Sequence, residues 1–370
     1  MRIGFVTQWF PPEPAGIAAG IADGLASRGH VVEVVTGFPN YPSGHLAQGY
    51  RIRPYVREQR SEQVTVHRAP LVPSHDSSAA RRVLTYTSFA LGAASVLPRV
   101  PRPDVWLSYS SPVTATLPAL LSRAFDGARG HPQVPHAQII QDLWPDSVTA
   151  SGFIADQRVS AMAERALGAY CDRCYRQSAA IGVISPSMRG VLRERGVPDH
   201  VIVDTPNWVD TAPAPDLHEG RSGRAELGMP AGRVFLYAGN LGELQALPAL
   251  IDAFAGIPDA HLVLLGDGVA RERIAADLRA RGLPNVHLFP ACAPALVGAY
   301  LAAADALIVS LADTPLLRAT MPSKVQSSLA TGRPILAHAA GDVAAVVTRS
   351  GAGVAATPGD LPAVRAAIER

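Results

Sequence analysis

Cysteine is scarce in this 370-residue chain, and Cys171, Cys174 and Cys292 are too few for a disulfide framework. A reducing compartment, the cytoplasm, is therefore expected. Charge excess is also lacking: 33 Lys and Arg against 31 Asp and Glu give a net charge of +2, and nothing calls for a nucleic-acid partner. No basic-then-apolar leader opens the chain, which enters a strand pattern at Arg2, so no signal peptide is expected. The uncharged run 83–98 is shorter than the ~20 residues a spanning helix needs. Arg81 and Arg82 ahead of that run, with Tyr86 and Phe89 inside it, suit a helix lying peripherally on the inner face of an anionic membrane. An ordinary amphipathic helix packed on a sheet suits them better, since such helices in α/β domains look alike. Cys171 and Cys174 have C-x-x-C spacing but no second pair, which points to packing and not to a metal.

What is present is a globular composition, 48% hydrophobic and 17% charged, on a length that suits two cores. Short β-branched runs alternate with helical patterns, as parallel sheets with crossover helices require. Strands are expected at 2–7, 31–36, 64–68, 105–108, 138–141 and 180–184, with helices near 17–28, 79–97, 112–125, 157–177 and 186–195. After a polar, proline-bearing stretch the pattern restarts, with strands at 233–237, 261–266, 286–289, 306–310 and 334–338 and helices at 245–254 and 270–281. The fold class is α/β: two tandem Rossmann-like, doubly wound domains, 1–205 and 223–370, joined by a linker at 206–222. Ligands bind outside the carboxyl ends of such sheets, so two units facing an interdomain cleft would share one site.

Chemistry is expected at four places. The turn Ala238-Gly239-Asn240-Leu241-Gly242 lets backbone N–H groups approach an oxyanion ahead of a helix, although glycine turns also serve purely structural ends. Lys324, in the first turn of the helix opened by Pro322-Ser323-Lys324, opposes the macrodipole unless an anion is its neighbour; Ser323 would cap or donate to that anion. In the first domain, the long loop Phe10-Pro11-Pro12-Glu13-Pro14-Ala15-Gly16 follows the first strand. Asp142, after another strand, would orient a hydroxyl or act as a base, or else serve as a turn residue. His45, His67, His75, His131 and His136 have no metal spacing, and one of them would be able to reach a sugar.

Collinear motifs then carry a resemblance. They are Gln8-Trp9-Phe10-Pro11-Pro12-Glu13, Arg28-Gly29-His30, Pro39-Asn40-Tyr41-Pro42, Gln141-Asp142-Leu143-Trp144-Pro145, Pro206-Asn207-Trp208-Val209-Asp210, Tyr237 to Gly242, Leu265-Gly266-Asp267-Gly268 and Pro322-Ser323-Lys324. Together the chain resembles the bacterial family 4 glycosyltransferases, in the branch that assembles exopolysaccharide and O-antigen sugars. The resemblance implies a GT-B fold, a nucleotide-sugar donor on the second domain, an acceptor on the first, and transfer with retention. The donor is a substrate, so neither cofactor nor metal is expected. By this resemblance Asp142 and Lys324 are the catalytic candidates, and Gly239, Asn240, Gly242, Ser323, Lys324 and Arg318 hold the diphosphate. Glu13, Gly16, Tyr41 and Trp144 face the acceptor, a lipid-linked sugar or small molecule, and Ser327 and Gly266 lie in the ribose and base region.

The chain departs from the family at three points. Many members carry two glutamates eight positions apart, where this chain has Ala319 and Ser327. Glu243 stands where the nearest branch tends to have arginine. The terminal helix that crosses back to the first domain in many members is expected to be absent. A degenerate nucleotide-sugar-binding protein and a GT-B epimerase are therefore the rival readings.

Overall fold

The computed structural model describes residues 1–74, 79–149, 157–209 and 221–370. The chain divides into two compact units, Met1–Pro206 and Asn207–Arg370. Asp210, most of the expected linker and His75 lie outside the described residues.

The first unit has eight strands: β1 (Arg2–Val6), β2 (Val31–Gly37), β3 (Val56–Gln59), β4 (Val64–Ala69), β5 (Val105–Ser110), β6 (His136–Ile140), β7 (Ala180–Val183) and β8 (Ile202–Asp204). Their spatial order is β3-β4-β2-β1-β5-β6-β7-β8, parallel throughout except for β3 on β4. Strands covered on both faces need continuous apolar runs; Phe5 and Val6 of β1 and Val32, Val34 and Val35 of β2 are wholly buried. The edges β3 and β8 escape the sequence pattern because they are short and half exposed, Val-Arg-Glu-Gln and Ile-Val-Asp.

Helix α1 (Gly16–Ser27) buries Ala18, Ala19, Ala22 and Ala26, a small-residue face that lets it lie close on the sheet. Gly29, at φ +82°, closes its carboxyl end as expected. Helix α2 (Ala79–Val96) packs Phe89, Ala93 and Val96 into the core. The membrane expectation is corrected in detail here: Phe89 is wholly buried and Tyr86 half-buried, and the apolar side chains α2 exposes are Val83, Leu84 and Leu91. Among the described residues no helix is long and apolar enough to cross a membrane. On helix α3 (Gln157–Gln177), Cys171 and Cys174 are buried, with the Cys174 sulfur 3.1 Å from the Thr116 hydroxyl.

The second unit has β9 (Arg233–Ala238), β10 (Ala260–Leu265), β11 (Val286–Phe289), β12 (Ala306–Ser310), β13 (Ile335–His338) and β14 (Gly353–Ala356). Their order is β11-β10-β9-β12-β13-β14, parallel throughout. Helix α4 (Leu247–Phe254) begins two residues later than the pattern suggests. The intervening Glu243–Gln245 is a single 3-10 turn, and Ala246 is left-handed at φ 46°. Helices α5 (Arg271–Arg281) and α6 (Ser323–Ala330) follow. In each sheet the strand order reverses once beside the first strand, between β1 and β5 and between β9 and β12. The crevice at the carboxyl ends of such a pair is where doubly wound sheets bind ligands.

Candidate active site

In the second unit two loops interlock at the carboxyl end of β9. Gly239 N donates to Leu265 O at 2.9 Å, Leu241 N to Asp267 O at 2.8 Å, and Ala270 N to Leu241 O at 2.9 Å. The interlock demands glycine. At Gly266 (φ +152°) a Cβ would fall 1.9 Å from the Gly239 carbonyl oxygen, and at Gly268 (φ +155°) 2.5 Å from that of Leu241. Gly266 thus shapes the loop from beneath, while Gly239 and Asn240 are left exposed at its tip.

Lys324 reaches this tip from the first turn of α6. Its Nζ donates to Tyr237 Oη at 2.7 Å, and Tyr237 Oη donates to the Asn240 carbonyl at 2.7 Å. A Cβ on Gly239 would stand 3.2 Å from the Nζ. Lys324 is the only lysine of the sequence; the other 32 of its 33 basic residues are arginine. Burial, with no carboxylate among the described residues acting against it, pulls its ammonium down to about 8. The N-terminus of α6 has Pro322 at the cap, no side-chain cap bond and no acid in its first turn. An uncapped helix start beside an uncompensated cation favours an anion. Ser323 is exposed at this start.

The other donor-side candidates are disposed differently. Arg318 pairs with Asp313, its Nε and Nη2 at 2.6 and 2.8 Å from the two carboxylate oxygens, on an exposed face. Glu243 pairs with Arg273 of α5 at 2.8 Å, so its negative charge is met by an arginine from a neighbouring helix. Ala319 is buried, and the Ser327 hydroxyl donates back to Ser323 O at 3.2 Å. Gly242 N donates to Gln245 Oε1 at 3.0 Å. The Ser310 hydroxyl donates to the Gln245 carbonyl and lies 2.7 Å from His338 Nδ1. His338 is wholly buried and held near 4, hence neutral. Gln245, Ser310 and Arg273 carry no motif of their own, and Tyr237, which opens the motif Tyr237 to Gly242, shows nothing there of its bond to Lys324; only contacts between distant strands and helices reveal these roles.

At the first unit's switch point a cavity of about 260 Å³ is lined by Thr7, Trp9, Gly16, Tyr41, Tyr109 and Ser111, among others. Asp142 Oδ2 accepts from the Ser111 hydroxyl at 2.8 Å. Crowding by protein raises the Asp142 carboxyl above its ordinary range, although it keeps a solvent-facing surface. Tyr86 lies in the field of this carboxylate, and it belongs to a run of four rings. Trp9 lies 5.4 Å from Tyr41 and 6.4 Å from Tyr86, and Tyr86 lies 5.9 Å from Trp144.

Glu13 is not available to a substrate. Its Oε1 accepts from the backbone N–H of Asn40 and of Tyr41, each at 2.8 Å, and its Oε2 from Phe10 N at 3.1 Å. It is a buried strut that fixes Tyr41, which corrects its placing at the acceptor wall. His67 and His136 are wholly buried, His67 on Glu33 and His136 on Ser108, so neither reaches a ligand.

Two doubly wound units, one with a glycine loop facing an uncompensated lysine and one with a carboxylate beside aromatic rings, define a glycosyltransferase of the GT-B fold. The chain belongs to the family 4 glycosyltransferases: residues 15–208 match the glycosyl transferase 4-like domain and residues 232–370 the glycosyl transferases group 1. It is 28% identical over 333 residues to WcaI of Escherichia coli K12, named as a colanic acid biosynthesis glycosyl transferase, spanning 87% of this chain and 79% of that protein. Among solved structures it is similar to a sucrose-phosphate synthase from Thermosynechococcus elongatus, with TM-score 0.70 and 18% identity over 100% of this chain and 89% of that one. It is also similar to HepE of Anabaena in complex with UDP-glucose, with TM-score 0.64 and 15% identity over 100% and 89% of the two chains.

Proposed function

We propose that this glycosyltransferase takes its sugar from a nucleoside-diphosphate donor and transfers it with retention of anomeric configuration. The observation that carries the reading is Lys324: the sole lysine, without a carboxylate partner among the described residues, beside a glycine loop and an uncapped helix start. Gly239, Asn240, Gly242, Ser323 and Lys324 would receive the diphosphate. The similar HepE has been solved with UDP-glucose and with UDP and glucose, which supports a donor of this class. In the step itself, the bond from the anomeric carbon to the diphosphate oxygen breaks and the bond to the acceptor oxygen forms on the same face. The acceptor proton passes to a diphosphate oxygen, and the nucleoside diphosphate leaves. Lys324 and the loop N–H groups stabilise the charge that grows on the leaving oxygen. Asp142 orients the attacking hydroxyl. No step needs the paired carboxylates of most glycoside hydrolases.

The test is a thermal-shift panel of UDP, GDP, ADP and dTDP with their sugars, followed by NMR of the product's anomeric signal. One diphosphate should raise Tm in proportion to ln(1 + [L]/Kd), and the product should keep the donor's configuration. A flat panel would support a scaffold without catalysis; epimer formed with no acceptor present would support the epimerase. Glu243 lends the scaffold reading little, since Arg273 already meets its charge.

For the membrane we assign the exposed Val83, Leu84 and Leu91 of α2, beside Arg81 and Arg82, as the peripheral contact. Sedimentation with anionic phosphatidylglycerol vesicles should carry the protein down at low salt, and Leu84→Glu with Leu91→Glu should release it. Equal sedimentation of both forms would refute this assignment.

A further inference from the structure

The glycine turn of the second unit commits most of its backbone donors to the protein itself. Gly239 N and Leu241 N are taken by the Leu265 and Asp267 carbonyls, and Gly242 N by the Gln245 side chain. Asn240 N has no partner among the described residues and stands at the exposed tip, on the residue whose carbonyl Tyr237 holds. The direction of this N–H beside Lys324 is therefore set by whatever sets the turn. One side of the turn is held by the interlock with the loop after β10. The other side, toward β12, is held by residues that lie in no motif.

The turn runs on through Glu243–Gln245 to Ala246, the one non-glycine residue among those described whose φ is left-handed. A residue with a Cβ stays in that region only where its surroundings hold it. Here the hold is on the peptide just before it: the Gln245 carbonyl accepts from the Ser310 hydroxyl, and the Leu244 carbonyl accepts from Ala312 N at 2.8 Å. Ser310 and His338 are the last residues of β12 and β13, paired in register and wholly buried. A serine hydroxyl has a single hydrogen. Ser310 gives it to a carbonyl, which cannot donate in return, so the 2.7 Å contact with neutral His338 runs the other way, from Nδ1–H to Ser310 Oγ. His338 is thereby fixed as the Nδ1–H tautomer, and its Nε2, without a partner among the described residues, is a bare lone pair. Two donors in series thus point from the core to the Gln245 carbonyl, while the Gln245 carboxamide caps Gly242 N. Donors in series polarise one another and strengthen the last bond.

We propose that His338 and Ser310 are positioning residues of the transferase, acting through Gln245 to set the turn whose Asn240 N–H and neighbouring Lys324 meet the donor diphosphate. Both are wholly buried, so neither touches the substrate. Changing either should move the donor side of the reaction and leave the acceptor side alone. This rests on the reading of the glycine turn as the diphosphate site.

Calorimetric titration of the full chain with UDP, GDP, ADP and dTDP tests the proposal, with steady-state kinetics alongside. Kd for a diphosphate that the wild type binds should rise about tenfold in Ser310→Ala and in His338→Leu, and stay within about twofold in Ser310→Thr, which keeps the hydroxyl. In turnover the first two variants should lose about tenfold in kcat/KM for the donor, with the acceptor KM unchanged. A merely structural role would lower Tm and the active fraction, leaving Kd and both KM values of the folded protein where they were. Nitrogen NMR of the isotope-labelled wild type is a second measurement, independent of how the variants fold. At neutral pH His338 should show a protonated Nδ1 and a bare Nε2. Wild-type affinity in folded Ser310→Ala and His338→Leu, or an Nε2–H tautomer for His338, would overturn the proposal. A wild type that binds none of the four diphosphates would overturn the diphosphate reading and the proposal with it, so the two failures are told apart.

Discussion

Lys324→Met is expected to lower turnover about 100- to 1,000-fold while raising, not lowering, the thermal stability of the protein. Loss of one preorganised charge on a developing oxyanion has a cost of that order, and Arg318 and Arg273 each already face a carboxylate, Asp313 and Glu243. The stability effect has the opposite sign. A lysine near 8 in the folded chain, against 10.5 ordinarily, makes the charged form cost up to about 3 kcal/mol at neutral pH. Between pH 8 and 10.5 the unfolded chain binds the proton that the folded chain has released, so wild-type stability rises with pH across that window. The variant lacks this rise. Below pH 8 the ammonium is charged and ready for a diphosphate, so kcat/KM for the donor should fall as pH climbs through 8. Measured Tm and initial rates against pH, for wild type and variant side by side, check all three statements. A variant with near-normal turnover would remove Lys324 from the site.

The second large effect is on the loop beneath it. Gly266→Ala places a methyl group 1.9 Å from the Gly239 carbonyl oxygen, at a φ of +152° that side chains rarely adopt. The clash is with backbone, and the interlock of Gly239, Leu241 and Ala270 must open to relieve it. A loss of roughly 3 kcal/mol or more is expected, the range of buried strain and overpacking combined, with donor binding lost in whatever fraction stays folded. Gly282→Ala is the matched control: its φ is +60°, yet nothing lies within 4 Å of the new methyl. It should cost only about 1 kcal/mol, the backbone penalty alone. Urea unfolding of the two variants separates collision from strain; equal losses would show that the interlock matters little.

Read from its residues, the chain already discloses most of its architecture, because parallel strands buried on both faces must be apolar and their crossover helices must be amphipathic. Those signals are strong at β1, β2 and β10 and faint at β3 and β8, where an edge strand meets water. Lys324 was also legible, because a cation at a helix start is an anomaly that a single sequence can show. Glu13 misleads in sequence because a carboxylate in a loop after a strand looks the same whether it meets a substrate or three backbone N–H groups. The Arg318–Asp313 pair was likewise invisible in sequence, since it is a matter of geometry.

By itself, then, the sequence determined two doubly wound units, the glycine turn and the lysine, which follow from periodicity and local residue chemistry, and, through a resemblance carried by collinear motifs, the family to which they belong. Only the tertiary structure decided that Tyr237 holds Lys324, that Arg273 meets the charge of Glu243, and that Trp9 meets Tyr41 and Tyr86, with Tyr86 in the field of Asp142. Each of these joins residues that are remote in the chain. Such contacts are set by strand order and helix packing, which no local pattern encodes.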